Sequence, residues 1–196
     1  MSAAVFLDRD GTIIEEFGYL NRLDRVVFFP WSIDAIRALN AAGFRVIVVT
    51  NQAGVARGYY DEAFVRATHA LIDQRVRAGR AYIDAYYYCP HHPEGRVDEY
   101  RAACECRKPS PGMIRRAERE FGIDPARSFV VGDRWLDVEF GRAAGARSIL
   151  VRTGYGLNEE ARPDDAVRPD LVADNLMEAV AWILRVAPAS VPAKRL

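Results

Sequence analysis

The sequence predicts an α/β protein built on a doubly wound, mainly parallel sheet of the Rossmann type. Short apolar runs alternate with amphipathic helical patterns along most of the 196 residues, and this alternation is typical of βαβ units. Several helical patterns end at a glycine, the usual residue at a helix C-terminus. The length suits one buried core and is short for two full domains. We therefore expect one domain over residues 1–187 and a flexible tail over residues 188–196.

Six apolar runs bounded by turn residues predict the strands, because a parallel sheet covered on both faces is made of continuous apolar segments. They span residues 5–7, 45–49, 85–88, 128–131, 147–151 and, more weakly, 170–173. Five segments with helical periodicity lie between and after them, at residues 32–41, 61–78, 111–121, 136–144 and 175–186. Two insertions break the alternation: residues 12–30 predict a hairpin flap, and residues 89–107 an irregular loop. Insertions of this kind commonly gate a substrate.

The composition excludes several classes of function. Lys and Arg total 27 and Asp and Glu total 27, so no extended cationic surface is predicted for nucleic acid or membrane. No apolar run approaches the roughly 20 residues that span a bilayer, and no secretion signal is recognisable. The three cysteines lie close together in mid-chain, which favours a metal site in a reducing compartment over disulfides. We expect a monomeric cytoplasmic protein with a small soluble ligand.

Two carboxylates follow the first predicted strand directly, as Asp8 and Asp10. Side chains two residues apart on an extended chain point the same way, and doubly wound sheets bind ligands beyond the carboxyl ends of their strands. Both acids are therefore expected to share one site. The alternative is an ordinary turn at Asp10-Gly11, since Asp-Gly is a common turn pair. The pentapeptide alone leaves both interpretations open.

Polar residues also follow two further predicted strands. Thr50-Asn51-Gln52-Ala53-Gly54 offers a hydroxyl, amides and backbone N–H groups that can hold a phosphate. By itself this segment also suits a simple polar strand exit. Gly132-Asp133 places another acid at a strand end, with Asp137 one helical turn later. Asp133 is therefore a candidate magnesium ligand, a role compatible with capping the helix that follows.

Four soft ligands frame the irregular loop, as Cys89, His91, Cys104 and Cys106. Three thiolates and one imidazole close a tetrahedral shell, so this spacing predicts a structural zinc ion. His92 is the competing imidazole, and three unrelated buried thiols are the alternative to a metal site. Arg107 and Lys108 follow the last ligand without a gap, so a bound zinc would also position both cations. Lysine occurs only at Lys108 and Lys194, which favours a chemical role for Lys108.

The segments Asp8-x-Asp10-Gly11-Thr12, Thr50-Asn51, Lys108 and Gly132-Asp133-x-x-x-Asp137 resemble, in this order, the four motifs of the haloacid dehalogenase superfamily. The resemblance covers about residues 3–155. The cysteine-rich loop looks like the branch that holds heptose bisphosphate phosphatases and histidinol-phosphate phosphatases. Phe17-Gly18-Tyr19-Leu20 and the segment that begins at Thr50 favour the heptose enzymes. The resemblance implies the haloacid dehalogenase fold, with a flap and zinc loop instead of a full cap domain.

The resemblance also implies an activity and its residues. The expected reaction is magnesium-dependent removal of the 7-phosphate of D-glycero-D-manno-heptose 1,7-bisphosphate, in nucleotide-activated heptose biosynthesis. Histidinol phosphate is the alternative substrate, and a non-catalytic zinc-stabilised binding module is the alternative of another class. A polynucleotide end-phosphatase is disfavoured by the neutral charge.

In the implied mechanism, Asp8 is the nucleophile, Asp10 the acid/base, and Thr50 and Lys108 stabilise the phosphoryl group. Magnesium is implied at Asp8, the Asp10 carbonyl and Asp133, with Asp137 behind them. The implied substrate contacts are Arg9, Glu16, Phe17, Gly18, Tyr19, Asn51, Gln52, Ala53, Arg57, Arg107 and Arg134. Among these, Arg107 is expected to hold the second phosphate, together with Arg57 or Arg134.

Overall fold

The computed structural model describes residues 2–162 and 167–187; the predicted tail, residues 188–196, lies outside the described residues. Six parallel strands form one sheet in the order β3-β2-β1-β4-β5-β6. The predicted doubly wound fold is confirmed. The strands are β1 (Ala4–Leu7), β2 (Arg45–Asn51), β3 (Ala85–Cys89), β4 (Phe129–Gly132), β5 (Arg147–Val151) and β6 (Leu171–Ala173).

The five predicted helices are present, with starts that differ by no more than one residue. Asp61 and Asn175, predicted as first helical residues, are N-caps whose side chains accept hydrogen bonds from the backbone N–H groups of Phe64 and Glu178. A further helix of five residues was missed because it is too short to show a periodicity. The helices are α1 (Ser32–Ala41), α2 (Glu62–Ala78), α3 (Gly112–Phe121), α4 (Trp135–Ala144), α5 (Gly156–Glu160) and α6 (Leu176–Val186).

Helices cover both faces of the sheet, which explains why the central residues of most strands are apolar. In β1, Val5 and Leu7 pack into a core with α1, α2 and α6, whereas Ala4 and Phe6 pack against α3 and α4. All four residues of β1 are fully buried. Burial of each large apolar side chain contributes about 1.5–3 kcal/mol. Within the described ranges, no helix is long and apolar enough to cross a membrane.

The register of the central strands brings three loops to one edge of the sheet. Leu7 of β1 pairs with Val48 of β2 and with Val131 of β4, so β1 and β4 end within one residue of each other and β2 runs three residues further, to Asn51. The strand order reverses beside β1, and such a reversal opens a crevice for a ligand. The loops that follow β1, β2 and β4 therefore meet at this crevice.

The segment after β1 forms a hairpin, as predicted, but a loosely paired one. A single antiparallel bridge joins Ile14 to Phe28, and the backbone N–H of Glu15 donates to the carbonyl of Val27 at 2.8 Å. A short 3-10 helix, Leu23–Arg25, lies within the hairpin. The hairpin begins at the crevice edge of β1, so the flap stands beside the site.

Candidate active site

Three buried carboxylates come together at the crevice, from Asp8 after β1, Asp133 after β4 and Asp137 in the first turn of α4. One oxygen from each lies within 4.8 Å of the others. Gly11 packs on this cluster with φ +76°, and a Cβ atom there would lie 2.1 Å from Asp133 Oδ2. Because glycine has no side chain, Gly11 leaves the space that the Asp133 carboxylate occupies.

Lys108 is the cation that faces this cluster. Its Nζ lies 2.9 Å from Asp8 Oδ1 and 2.5 Å from Asp137 Oδ1, and it donates to the carbonyl of Val49 at 3.1 Å. The residue is only 3% exposed. Asn51 holds its main chain from both sides, because its Oδ1 accepts from the Lys108 N–H at 3.0 Å and its Nδ2 donates to the Lys108 carbonyl at 3.2 Å. The ammonium group is therefore fixed between two carboxylates.

The cluster has more acidic than basic groups. Burial, followed by the charges of Asp8 and Asp137, raises the pKa of Asp133 to about 9. Burial also raises the pKa of Asp8 to about 6, although Lys108 acts in the opposite direction. Burial opposes the charging of Lys108, but Asp137 and Asp8 raise the pKa of its ammonium above the ordinary value. Three carboxylates face one ammonium, so the donor set fits a divalent cation with hard oxygen ligands such as Mg²⁺.

Asp10 lies beside the cluster, and its carboxylate is held by a separate network. Arg9 NH2 lies 2.8 Å from Asp10 Oδ2, and Gln52 Nε2 donates to the same oxygen at 3.0 Å. The second Nε2 proton of Gln52 reaches Thr50 Oγ1 at 2.8 Å. Gln52 Oε1 accepts from Arg9 and from the hydroxyl of Tyr60, at 3.0 and 2.9 Å. Arg9 and Gln52, both predicted as substrate contacts, thus orient Asp10 and Thr50.

The four predicted zinc ligands form a second cluster. The Sγ atoms of Cys89 and Cys106 lie 3.4 and 3.3 Å from Cys104 Sγ. His91 Nδ1 is 3.7 Å from Cys89 Sγ and 3.5 Å from Cys106 Sγ. Contacts with Cys89 first, then with Cys104 and His91, lower the pKa of the Cys106 thiol to about 5. The cluster contains His91 and not His92, and the donors suit one tetrahedral ion with thiolate ligands at about 2.3 Å.

A cavity of about 330 Å³ joins the carboxylates, the Asp10 network and several cations. Its wall includes Arg57, Arg107 and Arg134 and the flap residues Glu16 and Tyr19. Burial, and then the charge of Asp10, raises the pKa of Glu16 to about 7. Tyr19 also contacts Tyr59 edge to face at 4.6 Å between ring centroids, so the flap touches the loop that follows β2.

Comparison with known proteins agrees with this geometry. Residues 105–179 match the HAD-hydrolase-like family. The D-glycero-beta-D-manno-heptose-1,7-bisphosphate 7-phosphatase of Escherichia coli K12 is 44% identical over 159 residues, which is 81% of this chain and 83% of that protein. The Haemophilus influenzae protein of the same name is 38% identical over 188 residues, with 95% and 97% covered. The chain belongs to this family of haloacid dehalogenase-like phosphatases.

A solved structure supports the same family. The D,D-heptose 1,7-bisphosphate phosphatase from B. bronchiseptica, crystallised with magnesium and phosphate, superposes with a TM-score of 0.83 at 32% identity. The match covers 95% of this chain and all of that one. Membership of this family confirms the predicted fold and the predicted enzyme class, a phosphoric monoester hydrolase.

The cavity wall contains most, but not all, of the predicted site residues. Phe17 is 44% exposed and lies outside the wall, although its neighbours Glu16 and Gly18 belong to it. Five wall residues were not predicted from the sequence. They are Leu20, Tyr60, His92, Leu136 and Tyr155. Most of these are apolar or aromatic and carry no chemical signature, and His92 was considered only as a zinc ligand.

Proposed function

We propose that the chain removes the 7-phosphate of D-glycero-D-manno-heptose 1,7-bisphosphate through an aspartyl-phosphate on Asp8. One observation carries the proposal: Asp8 stands at the end of β1 with its Oδ1 2.9 Å from the buried Lys108 ammonium, within reach of the Asp133 carboxylate. The relatives that share this family are named for that reaction. The substrate class is a small phosphorylated sugar, and we expect the protein to act as a monomer in the cytoplasm.

The proposed reaction divides hydrolysis into two displacements. An Asp8 oxygen attacks the phosphorus while the bond to the sugar oxygen breaks, and Asp10 protonates that oxygen. Asp10 then removes a proton from the water that hydrolyses the aspartyl-phosphate. Arg9 and Gln52 hold the Asp10 carboxylate for both steps. Lys108 and the Thr50 hydroxyl donate to the phosphoryl oxygens, where negative charge accumulates.

The same geometry supports a magnesium ion held by Asp8, the Asp10 carbonyl and Asp133. When bound, Mg²⁺ supplies positive charge that neutralises the phosphoryl group and orients it for attack. Asp137 takes a supporting role, because its Oδ1 is bonded to Lys108 and its Oδ2 accepts from the Arg134 N–H at 3.2 Å. It therefore fixes both Lys108 and the start of α4.

We also propose that Cys89, His91, Cys104 and Cys106 hold a structural zinc ion. All four ligands come from the protein, so the shell leaves no open position for chemistry. Arg107 is next to the last ligand and donates from NH1 to the His91 carbonyl at 3.2 Å. A Cys104→Ser variant should lose about one equivalent of zinc per chain and be markedly less stable to urea. A zinc-free variant with unchanged stability would contradict the structural role.

The decisive experiment compares turnover of the heptose 1,7-bisphosphate, as both anomers, with turnover of histidinol phosphate. We expect the bisphosphate to give the higher kcat/KM, and faster hydrolysis of histidinol phosphate would refute the proposed substrate. Asp8→Asn should abolish phosphate release with magnesium present while the circular dichroism spectrum stays unchanged. Activity retained by that variant would refute Asp8 as the nucleophile, whereas a wild type that hydrolyses none of these substrates would favour the non-catalytic binding module.

A further inference from the structure

His92 and Arg57 face each other in one wall of the cavity; Arg57 is so far an implied substrate contact, and His92 has no role in the chemistry described above. His92 Nε2 lies 3.4 Å from Arg57 NH2. Both residues line the cavity that contains Asp8. We propose that they form a paired donor site for the second phosphate of the bisphosphate, with His92 donating from Nε2. This inference rests on the proposed function and names a specificity residue for it.

The hydrogen bonding of His92 determines which nitrogen carries its proton. His92 Nδ1 accepts from the backbone N–H of Glu94 at 3.0 Å, so a neutral ring carries its proton on Nε2. That N–H points toward the Arg57 guanidinium, which can only donate. Arg57 Nε is also buried and has no hydrogen-bond partner among the described residues. Two donor groups that face each other without an acceptor suit an anionic oxygen placed between them.

The two side chains are set in place by main-chain hydrogen bonds between their loops. The carbonyl of Ala56 accepts from the N–H groups of Arg96 and Val97 at 2.7 and 2.9 Å, and the Ala56 N–H donates to the carbonyl of Pro90 at 3.2 Å. Gly95 permits this approach, since a Cβ there would lie 2.9 Å from Ala56 Cβ. The pairing is therefore built into the backbone, and His92 is attached to the proposed zinc ligand His91.

The charge of this wall matches a phosphate dianion. Arg107 belongs to the same cavity, and its NH1 contact with the His91 carbonyl keeps it next to the pair. Arg57 and Arg107 supply two full positive charges, whereas the neutral imidazole supplies a directional N–H. A phosphate held here is bound by charge and by geometry, as in other charge-assisted contacts.

The test measures kinetics on two substrates that differ by the second phosphate, namely the heptose 1,7-bisphosphate and the heptose 7-phosphate. For His92→Ala and for Arg57→Ala we expect KM for the bisphosphate to rise about 10- to 100-fold with little change in kcat, as for the loss of a hydrogen bond to a charged group. Kinetics on the 7-phosphate should not change. His92→Gln keeps an N–H donor and should recover most of the affinity.

Arg96→Ala is the matched control, because Arg96 is an exposed cation of the same loop that lies outside the cavity wall. Its KM values should equal those of the wild type. The zinc content of each variant is measured in the same experiment. If His92→Ala loses zinc, the Arg57→Ala result decides, because Arg57 is remote in sequence from the proposed zinc ligands. The double variant should raise KM by less than the product of the two single-variant changes, since contacts to one shared phosphate are not additive.

Equal KM changes on both substrates, or no change on the bisphosphate, would overturn the pairing. Such a result differs from failure of the proposed function, which would show in the wild type as no preference for the bisphosphate over the 7-phosphate and histidinol phosphate. Wild-type preference together with unaffected His92 and Arg57 variants would retain the proposed function and refute only the paired donor site.

Discussion

Replacing Lys108 with methionine removes the ammonium group from the carboxylate cluster while keeping a side chain of similar length. Lys108 Nζ lies 2.5 Å from Asp137 Oδ1 and 2.9 Å from Asp8 Oδ1. At an effective dielectric constant of about 20, each contact corresponds to about 6 kcal/mol of attraction, much of it offset by desolvation. Removing one partner of a buried pair costs about 3–5 kcal/mol in the free energy of unfolding. We expect that loss for Lys108→Met.

Urea denaturation in magnesium-free buffer without added chelator measures this free energy. The loss should be largest near pH 8 and smaller near pH 5, because a carboxylic acid that takes up a proton no longer needs the ammonium. Added magnesium should recover part of the loss by binding between the same carboxylates. Asp137→Asn in the Lys108→Met background should also recover part of it, since one uncompensated charge is removed.

Arg116→Met is the matched control for this prediction. Arg116 Nε lies 2.6 Å from Glu120 Oε1, but both side chains are solvent-exposed, at 58% and 42%. An exposed pair contributes about 0–1 kcal/mol, so this variant should be nearly as stable as the wild type. A Lys108→Met loss as small as the Arg116→Met loss would refute the view that the ammonium balances buried charge.

Two further predictions concern the same cluster. Without magnesium, the free energy of unfolding should fall as pH rises from about 4 toward about 9. Folding raises the pKa of Asp8 from 3.8 to about 6 and that of Asp133 from 3.8 to about 9, so the folded chain binds more protons than the unfolded chain. Thermal melts across this pH range check the sign, and a rise in stability would contradict it. Asn51→Leu removes both side-chain hydrogen bonds to the Lys108 main chain. Because the Lys108 ammonium would then be misplaced, kcat should fall about 10- to 100-fold, with KM and zinc content nearly unchanged. A variant changed only in KM would instead identify Asn51 as a substrate contact.

The fold was predictable because parallel strands covered on both faces appear in the sequence as uninterrupted apolar runs. All six strands and five of the helices followed from that pattern. The ends of β2 and β3 did not, since both strands run on to Asn51 and Cys89, which pair with each other across the sheet. Polar residues there are held in strand conformation by the neighbouring chain, which a local pattern does not record.

The candidate site was predictable in its chemistry more than in its contacts. Asp8, Asp133 and Lys108 were identified because carboxylates at strand ends and a rare lysine are visible in the sequence. Gln52 was expected to contact the substrate and lies in the cavity wall, and its amide also joins Asp10 to Thr50, which was not predicted. Such a network depends on rotamers chosen by the packed fold, so residue type alone does not reveal it.

The fold class and two clusters of candidate metal ligands followed from the sequence alone, because strand periodicity and ligand spacing are local properties. The reaction class followed from four motifs that resemble those of the haloacid dehalogenase superfamily. The folded structure was needed to show where His92, the imidazole that competes with His91 in the sequence, lies. His91 Nδ1 faces Cys89 and Cys106, whereas the His92 ring turns to Arg57 in the cavity wall. Two adjacent side chains can point to different sites because the loop backbone changes direction between them. That backbone conformation depends on contacts with distant segments of the chain.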